Sequence, residues 1–282
     1  MKQVCLSFDI EDWFQVENLR GAFPPESWDK AELRVEKNTR RILDILDEKN
    51  IKATFFILGW IAERVPGLVK EIFSRGHEVA SHGYNHQLNY NLNTETLRKD
   101  LEKSKKLLED ITGIEVIGYR APTFSITDEV MTMLKELGYK YDSSLNDFPL
   151  HDRYGKLSGE KSNGPYLHSS GIVEIPMPLV RIFGKSIPIS GGGYFRLLPF
   201  AVFKRLVKRY LKQNDLYVFY MHPWEIDKEQ PRIKNVKLTN RIRHYTAIEK
   251  TANRLRVLID EVPFSYERID SICSNISIRG ER

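Results

Sequence analysis

Residues 51–80 have the sequence IKATFFILGWIAERVPGLVKEIFSRGHEVA, which contains one complete strand–helix–strand unit. Residues 53–58 form a short apolar run rich in aromatic side chains and predict a buried strand. Residues 61–74 carry apolar side chains at helical spacing and predict a helix that bends at Pro66. Residues 77–80 then predict the next strand. This order of elements is typical of a parallel α/β sheet.

The same alternation extends over most of the chain. Short apolar runs predict parallel strands at 4–8, 53–58, 77–80, 116–119, 139–142, 172–175 and 216–220. Amphipathic stretches predict helices at 29–49, 61–74, 94–111, 127–137 and 199–213. Residues 146–171 predict a long loop. We therefore expect an α/β barrel over residues 1–224 and a C-terminal extension, residues 225–282, packed on it with a helix at 247–259 and a strand at 264–267.

Composition excludes several classes of protein. Among 282 residues, 41% are hydrophobic and 29% are charged, which is typical of a globular domain and excludes a disordered chain. The net charge of +5 is compatible with an anionic polymer, but no block of like charges indicates nucleic-acid binding. Neither a signal-peptide core nor an 18-residue apolar run occurs, so we expect a cytoplasmic protein without a membrane segment. We expect Cys5 and Cys273 to be reduced structural thiols.

Three carboxylates follow the first predicted strand: Asp9, Glu11 and Asp12. Three negative charges at one strand end repel one another unless a cation lies among them, although such clusters also occur in solvated turns. His82 and His86 follow the third strand and would share a face if the segment formed one helical turn. Two histidines and a carboxylate would hold a metal ion with positions open for water and substrate.

Two further strand ends carry polar side chains. Tyr119-Arg120-Ala121-Pro122 follows the fourth strand, and Tyr220-Met-His222-Pro-Trp224 follows the last one. Arg120 alone would fit a surface arginine, and His222 alone would fit a hydrogen-bonded core residue. Because α/β barrels place their active sites at the carboxyl ends of their strands, the four groups together predict one site.

These motifs resemble those of the polysaccharide deacetylases, carbohydrate esterase family four, which includes chitin and peptidoglycan deacetylases. The resemblance rests on Phe8-Asp9, the His82-x-x-x-His86 pair, Arg120-Ala-Pro122 and the strand-end His222, and it covers residues 4–224. Three segments resemble the subgroup associated with exopolysaccharide and exosortase loci: Asp-Ile-Glu-Asp-Trp-Phe-Gln-Val at 9–16, Ser190-Gly-Gly-Gly-Tyr-Phe-Arg196 and His222-Pro-Trp-Glu225.

The resemblance implies a distorted (β/α)7 barrel and one divalent metal ion, commonly zinc, with cobalt or nickel able to substitute. The family has two adjacent aspartates, a base and then a ligand, whereas Ile10 follows Asp9 here. Either Glu11, on the same strand face as Asp9, or Asp12, at the start of the loop, could then bind the metal. We favour Asp12.

The resemblance also implies the reaction and the residues that perform it. The chain would remove N-acetyl groups from a polysaccharide or oligosaccharide. The catalytic group comprises Asp9 as base, Arg120 holding Asp9 ionised, His222 as acid and Asp142 as the partner of the catalytic histidine. Tyr119, Pro122, Phe124, Tyr194, Phe195 and Trp224 are candidates to contact sugar rings, although core packing would also explain such aromatic side chains.

Other functions remain open at this point. An allantoinase-like or imidase-like amidohydrolase on the same barrel would have a small closed site. A non-catalytic polysaccharide-binding protein would need no metal with open positions, and a scaffold would leave the four strand-end groups without a purpose. The sequence does not identify the sugar or the oligomeric state.

Overall fold

The structure is a computed structural model that describes residues 2–148, 153–159, 162–182, 184–234, 236–262 and 264–280. Its strands are β1 (Gln3–Ile10), β2 (Thr54–Ile57), β3 (Glu78–Ser81), β4 (Gly118–Tyr119), β5 (Tyr141–Asp142), β6 (Tyr166–Leu167), β7 (Val173–Glu174), β8 (Leu179–Ile182), β9 (Lys185–Pro188), β10 (Leu216–Met221) and β11 (Ser265–Tyr266). Its α-helices are α1 (Val35–Glu48), α2 (Gly59–Arg64), α3 (Pro66–Ser74), α4 (Thr94–Thr112), α5 (Asp128–Glu136), α6 (Gly192–Leu197), α7 (Phe200–Gln213), α8 (Leu238–Tyr245), α9 (Ile248–Glu261) and α10 (Ile269–Gly280).

One curled sheet organises the chain. Its strand order is β10-β1-β2-β3-β4-β5-β7-β6, and every neighbouring pair from β10 to β7 is parallel. The segment before α6 approaches the other edge of β10, where Tyr220 N–H donates to Ser190 O at 2.9 Å. The sheet therefore forms a parallel half-barrel, and the predicted α/β fold of the (β/α)7 type is confirmed.

Two apolar cores lie on the two faces of this sheet. In β1, Leu6 and Phe8 belong to the larger core, which also contains the buried faces of α1, α3, α4 and α5. Cys5 points the other way, because side chains alternate along a strand, and belongs to a smaller core with Ile272 and Cys273 of α10. Both cysteines are buried free thiols. Asp9 shares the face of Cys5 and therefore points into the half-barrel.

The register of the strands brings the predicted site residues to one edge. Asp9 of β1 pairs in register with Phe56 of β2, and Ser81 of β3 pairs with Tyr119 of β4. The ladder continues one step further, because His82 N–H donates to Ile57 O at 3.0 Å and Arg120 N–H donates to Ser81 O at 2.9 Å. The backbones of His82 and Arg120 are thus held by the sheet itself.

The chain after Trp224 packs against the half-barrel. β11 pairs in parallel with β1, and α9 packs beside the turn at Pro223–Ile226. Among the residues that the structure describes, no helix is both long enough and apolar enough to span a membrane.

The structure also corrects several predicted elements. The helix predicted at 29–49 begins only at Val35, and the one predicted at 61–74 is two helices, α2 and α3, divided before Pro66. The glycine-rich run 191–193 includes the first two residues of α6, and α6, β8, β9, α8 and α10 were not predicted. The loop predicted at 146–171 includes β6, and its residues 149–152, 160 and 161 lie outside the described residues.

Candidate metal centre and catalytic site

Glu11, His82 and His86 form a cluster that could hold a metal ion. One ligand atom from each side chain lies within 4.8 Å of the other two, and all three residues are buried. His86 Nε2 lies 3.3 Å from Glu11 Oε2. Glu11 Oε2 and His86 Nδ1 have no hydrogen-bond partner among the described residues. A carboxylate oxygen and two imidazole nitrogens are an established donor set for zinc.

Asp12, which the sequence favoured as the carboxylate ligand, is used elsewhere. Its Oδ2 accepts hydrogen bonds from the backbone N–H groups of Arg34 and Val35, at 2.6 and 2.8 Å, and its Oδ1 accepts from Trp13 N–H at 2.8 Å. Burial raises the pKa of Asp12 to about 6, although these three donors oppose the shift. Asp12 therefore fixes the loop after β1 to the start of α1, and Glu11 replaces it as the candidate ligand.

The two histidines lie on a loop that is not a helical turn. Gly83 and His86 adopt positive φ angles of 72° and 50°, which bend the chain after β3. The Asp100 carboxylate accepts hydrogen bonds from Tyr84 N–H at 2.7 Å and Asn85 N–H at 3.1 Å. Gly59 N–H, at the start of α2, donates to Gly83 O at 2.8 Å. These contacts from α4 and α2 bring the imidazoles together.

The protonation of His82 suits a metal ligand. Its Nδ1 lies 2.8 Å from Arg120 O, and because a carbonyl only accepts, Nδ1 carries the proton and Nε2 keeps its lone pair. Burial lowers the pKa of His82 to about 4, so the ring is neutral at pH 7. Burial would raise the pKa of Glu11, but the neighbouring His86 and His222 hold it well below its usual range.

Asp9 and Arg120 form a buried ion pair at the same edge. Arg120 Nη1 donates to Asp9 Oδ1 at 2.8 Å and to Ser7 Oγ at 2.9 Å. Its Nε and Nη2 donate to the carbonyl and the hydroxyl of Ser143, and its guanidinium lies 4.0 Å from the centroid of the Phe56 ring. The arginine is wholly buried, so the protein rather than solvent holds it against Asp9.

His222 lies opposite Asp9 and is oriented by Glu225. Its Nε2 is 2.9 Å from Glu11 Oε1 and 4.0 Å from Asp9 Oδ2, and its Nδ1 is 2.9 Å from Glu225 Oε1. Burial would lower the pKa of His222, but the carboxylates of Glu11 and Glu225 raise it well above the usual value. Arg196 Nε donates to Glu225 Oε2 at 2.6 Å. Burial opposes the shift, but Arg196 and His222 lower the pKa of Glu225 to about 2.

Asp142, predicted as the partner of His222, has other contacts. Its Oδ1 accepts from Ser144 Oγ at 2.6 Å, and its Oδ2 accepts from Ser144 N–H at 3.0 Å. Asp142 pairs in register with Glu174 of β7. Burial raises the pKa of Glu174 well above its usual value, and the negative charge of Asp142 raises it further. Ser144 Oγ also accepts from Ala121 N–H at 2.8 Å. Asp142 therefore braces the segment after Arg120, and Glu225, not Asp142, is the acid that contacts Nδ1 of His222.

Two adjoining cavities open beside these side chains. A cavity of about 150 Å³ is lined by Asp9, Glu11, both histidines of the cluster and Phe124. A second, of about 430 Å³, is lined by Tyr194 and other residues, and Tyr154, Tyr220, His222 and Trp224 line both. Thr123 and Phe124 have positive φ angles of 51° and 57°, so the backbone at the smaller cavity is strained, as is common at functional sites.

Not every predicted sugar contact lies at these cavities. Tyr119 is wholly buried in the larger core, and its hydroxyl lies 2.9 Å from Asn89 Nδ2, which donates to it. Pro122 is buried beside Gly83, and Phe195 is buried among Phe200, Phe203 and Phe219. These three side chains therefore line neither cavity, because packing occupies them.

Glu225 and Arg196 have roles that the sequence alone did not assign. A signal for Glu225 was present, because a proline directly after His222 and a glutamate three residues after it resemble a capping box. In the structure His222 N–H donates to Glu225 Oε1 at 3.0 Å, and the turn Pro223–Ile226 follows. Arg196 had no comparable signal, because its contacts come from segments 29 to 50 residues away.

Comparison with known proteins agrees with this geometry. Residues 3–141 match the family model described as "Polysaccharide deacetylase", and residues 143–273 match "Domain of unknown function (DUF3473)". A peptidoglycan-N-acetylglucosamine deacetylase of Bacillus cereus is 36% identical over 102 residues, which are 36% of this chain and 47% of that protein. A peptidoglycan deacetylase of Helicobacter pylori is 32% identical over 138 residues, 48% of this chain and 47% of that protein.

The fold is shared over a greater length. The crystal structure of a putative polysaccharide deacetylase from Mycobacterium smegmatis superposes with a TM-score of 0.68 at 22% identity, over 99% of this chain and 91% of that one. The chain spans less than half the length of the two curated relatives. The match over residues 3–141, which contain Asp9, Glu11, both clustered histidines and Arg120, shows that this part of the chain is similar to the polysaccharide deacetylase family.

Proposed function

We propose that this protein is a metal-dependent hydrolase that removes N-acetyl groups from N-acetylhexosamine units of a polysaccharide or oligosaccharide. One observation carries the proposal: the Glu11, His82 and His86 cluster lies between a carboxylate held by a buried arginine and a histidine held by a buried glutamate. A candidate metal centre flanked by a base and an acid is the arrangement that amide hydrolysis needs.

The chain's own residues fit a divalent ion. Glu11, His82 and His86 would hold it, and Glu11 Oε2 is a buried oxygen without a hydrogen-bond partner among the described residues, which a cation would satisfy. Three protein ligands leave a position open for water or substrate, as in catalytic zinc sites. When bound, such an ion supplies Lewis acidity to a carbonyl oxygen and acidity to a coordinated water. We propose zinc, with cobalt or nickel as substitutes.

Asp9 would take a proton from the attacking water. Arg120 binds Oδ1 of this carboxylate at 2.8 Å, and Oδ2 faces His222 across the site. The guanidinium holds this carboxylate in place, and its contacts with Ser7 and Ser143 prevent it from turning away. Arg120 therefore acts through Asp9.

His222 would give a proton to the departing sugar amine. The carboxylate of Glu225 beside Nδ1 favours the protonated ring, and the His222 side chain is 19% exposed, so it is accessible from the cavities. Glu225 binds Nδ1 and leaves Nε2 directed at the centre. Because an amine leaves poorly unless it is protonated, this proton matters more for an amide than for an activated ester.

The substrate proposal extends to exopolysaccharides. The three segments that resemble the exopolysaccharide-associated subgroup all contribute to the site: residues 9–16 supply Asp9 and Glu11, Arg196 ends the glycine-rich segment, and Glu225 ends the last one. Tyr194 and Trp224 line the larger cavity and would contact sugar rings.

The other functions fit the geometry less well. An imidase-like enzyme would have a small closed site, whereas the smaller cavity here shares four aromatic or imidazole side chains with a larger one. A binding protein would not need the two buried pairs, Arg120 with Asp9 and His222 with Glu225, that lie beside the metal-ligand cluster.

Metal analysis combined with acetate release tests the proposal. The purified chain should contain about one divalent ion and release acetate from N-acetylglucosamine oligomers. His82→Ala should lose the metal, whereas His168→Gln, which changes a histidine paired with Asp128 away from the site, should retain it. His222→Ala should keep the metal and lose far more activity on the amide than on an aryl acetate. Full metal content in His82→Ala, or no acetate release by the metal-loaded chain, would refute the proposal.

A further inference from the structure

The larger cavity is built mainly by the part of the chain beyond the polysaccharide deacetylase match. Tyr194 and Leu197 of α6 line it, together with Arg243 and His244 of α8. It adjoins the smaller cavity at His222 and Trp224. A sugar next to the N-acetylated unit of a bound chain would therefore lie in this larger cavity.

Arg243 brings a positive charge to this cavity. The residue is exposed and makes no ion pair with a carboxylate of the described residues. Its backbone is held in place, because Arg196 Nη2 donates to Arg243 O at 3.0 Å and Arg196 Nη1 donates to His244 O at 3.0 Å. The same arginine pairs with Glu225, so the position of Arg243 is tied to that of His222.

A second arginine lies at the border of the two cavities. Arg153 lines the smaller cavity, and its Nη2 donates to Asn18 Oδ1 at 2.9 Å. Asn18 and Tyr154 line both cavities.

The acidic groups nearby do not cancel these charges. Glu225 is paired with Arg196 at 2.6 Å, and Glu17, which lines the smaller cavity, lies 3.5 Å from Arg20. Asp9 and Glu11 belong to the candidate catalytic site. His244 adds no charge, because burial lowers its pKa to about 3. The larger cavity is therefore positive where Arg243 lines it.

We infer that this cavity is a subsite for a sugar that carries a carboxylate, next to the N-acetylhexosamine whose acetyl group is removed. The inference rests on the proposed function. Arg243 would bind the carboxylate from one side, Arg153 would add a positive charge at the border, and the faces of Tyr194 and Trp224 would contact the ring. The substrate would then be an acidic heteropolysaccharide rather than a neutral homopolymer.

Direct binding tests this inference without relying on turnover. One probe is an oligosaccharide that alternates N-acetylglucosamine and glucuronic acid, and its control is the same oligosaccharide with the carboxyl groups reduced to alcohols. A peptide-free oligosaccharide of N-acetylglucosamine and N-acetylmuramic acid separates a lactyl carboxylate from a uronate. We expect the better acidic ligand to bind about threefold to fivefold more tightly than the neutral control, the usual range for a partly exposed ion pair.

Matched variants identify the residue. Arg243→Gln should remove most of the preference for the acidic ligand, whereas Arg241→Gln, an exposed arginine on the same helix that lines neither cavity, should keep it. The preference should shrink as salt is added. Equal binding of acidic and neutral ligands, or equal effects of the two variants, would overturn the inference. Acetate release from a neutral oligomer without any acidic preference would overturn it while leaving the proposed function intact.

Discussion

Arg196→Met should destabilise the protein strongly, because Arg196 joins the barrel to the chain that follows it. Its Nε donates to Glu225 Oε2 at 2.6 Å, and its two Nη atoms donate to the carbonyls of Arg243, His244 and Thr246. The Arg196 and Glu225 side chains are only 2% and 1% exposed. Methionine would remove the guanidinium from the buried carboxylate of Glu225, and breaking a buried ion pair in this way costs about 3–5 kcal/mol of unfolding free energy.

Urea denaturation and thermal melting measure this loss. A loss of about 4 kcal/mol should lower the melting temperature by roughly 10 °C for a chain of this size. Arg256→Met is the matched control, because Arg256 also binds a glutamate but does so on the surface. Its Nε and Nη2 donate to the carboxylate of Glu48 at 2.9 and 3.1 Å. We expect Arg256→Met to cost far less, because solvent screens an exposed ion pair. Adding Glu225→Leu to Arg196→Met should recover part of the loss. Equal losses in the two arginine variants would refute the reasoning.

Three further predictions concern carboxylates. Glu11→Gln should lower metal content more than Asp12→Asn does. Asp12→Asn should instead cost about 1–2 kcal/mol of unfolding free energy, because it weakens hydrogen bonds to backbone N–H groups. The opposite order in metal analysis would return the ligand role to Asp12. Asp9→Asn should retain the metal and lose roughly 10²-fold in kcat, and an active variant would exclude Asp9 as the base. Burial, with the charge of Asp270, raises the pKa of Glu78 to about 7, so its contribution to stability is complete below about pH 4 and is lost as pH rises through about 7. Glu78→Gln should therefore gain up to roughly 3 kcal/mol relative to wild type between pH 4 and 8, and denaturation curves that shift in parallel would contradict this.

The alternation of strands and helices could be predicted because each unit repeats a local pattern. α4 illustrates this, since its apolar spacing and Gly113, at a φ of 73°, mark its body and its end. The sequence favours Thr94 as its N-cap, but the structure uses Asn93, whose side chain accepts from Thr96 N–H at 2.8 Å; both are good capping residues. α6 was missed because its first two residues, Gly192 and Gly193, are poor helix formers.

α10 shows that some missed elements did carry a signal. Four residues of α10 follow helical spacing and contact the smaller core: Ile269, Ile272, Cys273 and Ile276.

The sequence also carried a signal for the candidate metal ligand. Side chains alternate along a strand, so Glu11 shares the face of Asp9 and points to the same side of the sheet, which favoured Glu11 over Asp12 from the start.

The prediction for Asp142 rested on the resemblance to the family, whereas the local signal for Glu225 was its place three residues after His222. Asp142 ends β5, and its register places it beside Glu174 of β7. Glu225 lies on the same turn as His222, so its contact with the ring needs no long-range register. Arg196 then neutralises Glu225 and binds carbonyls of the chain that supplies Arg243. Orientation of the proposed acid and formation of the proposed carboxylate subsite thus depend on one arginine, so loosening the chain after Trp224 should impair both together.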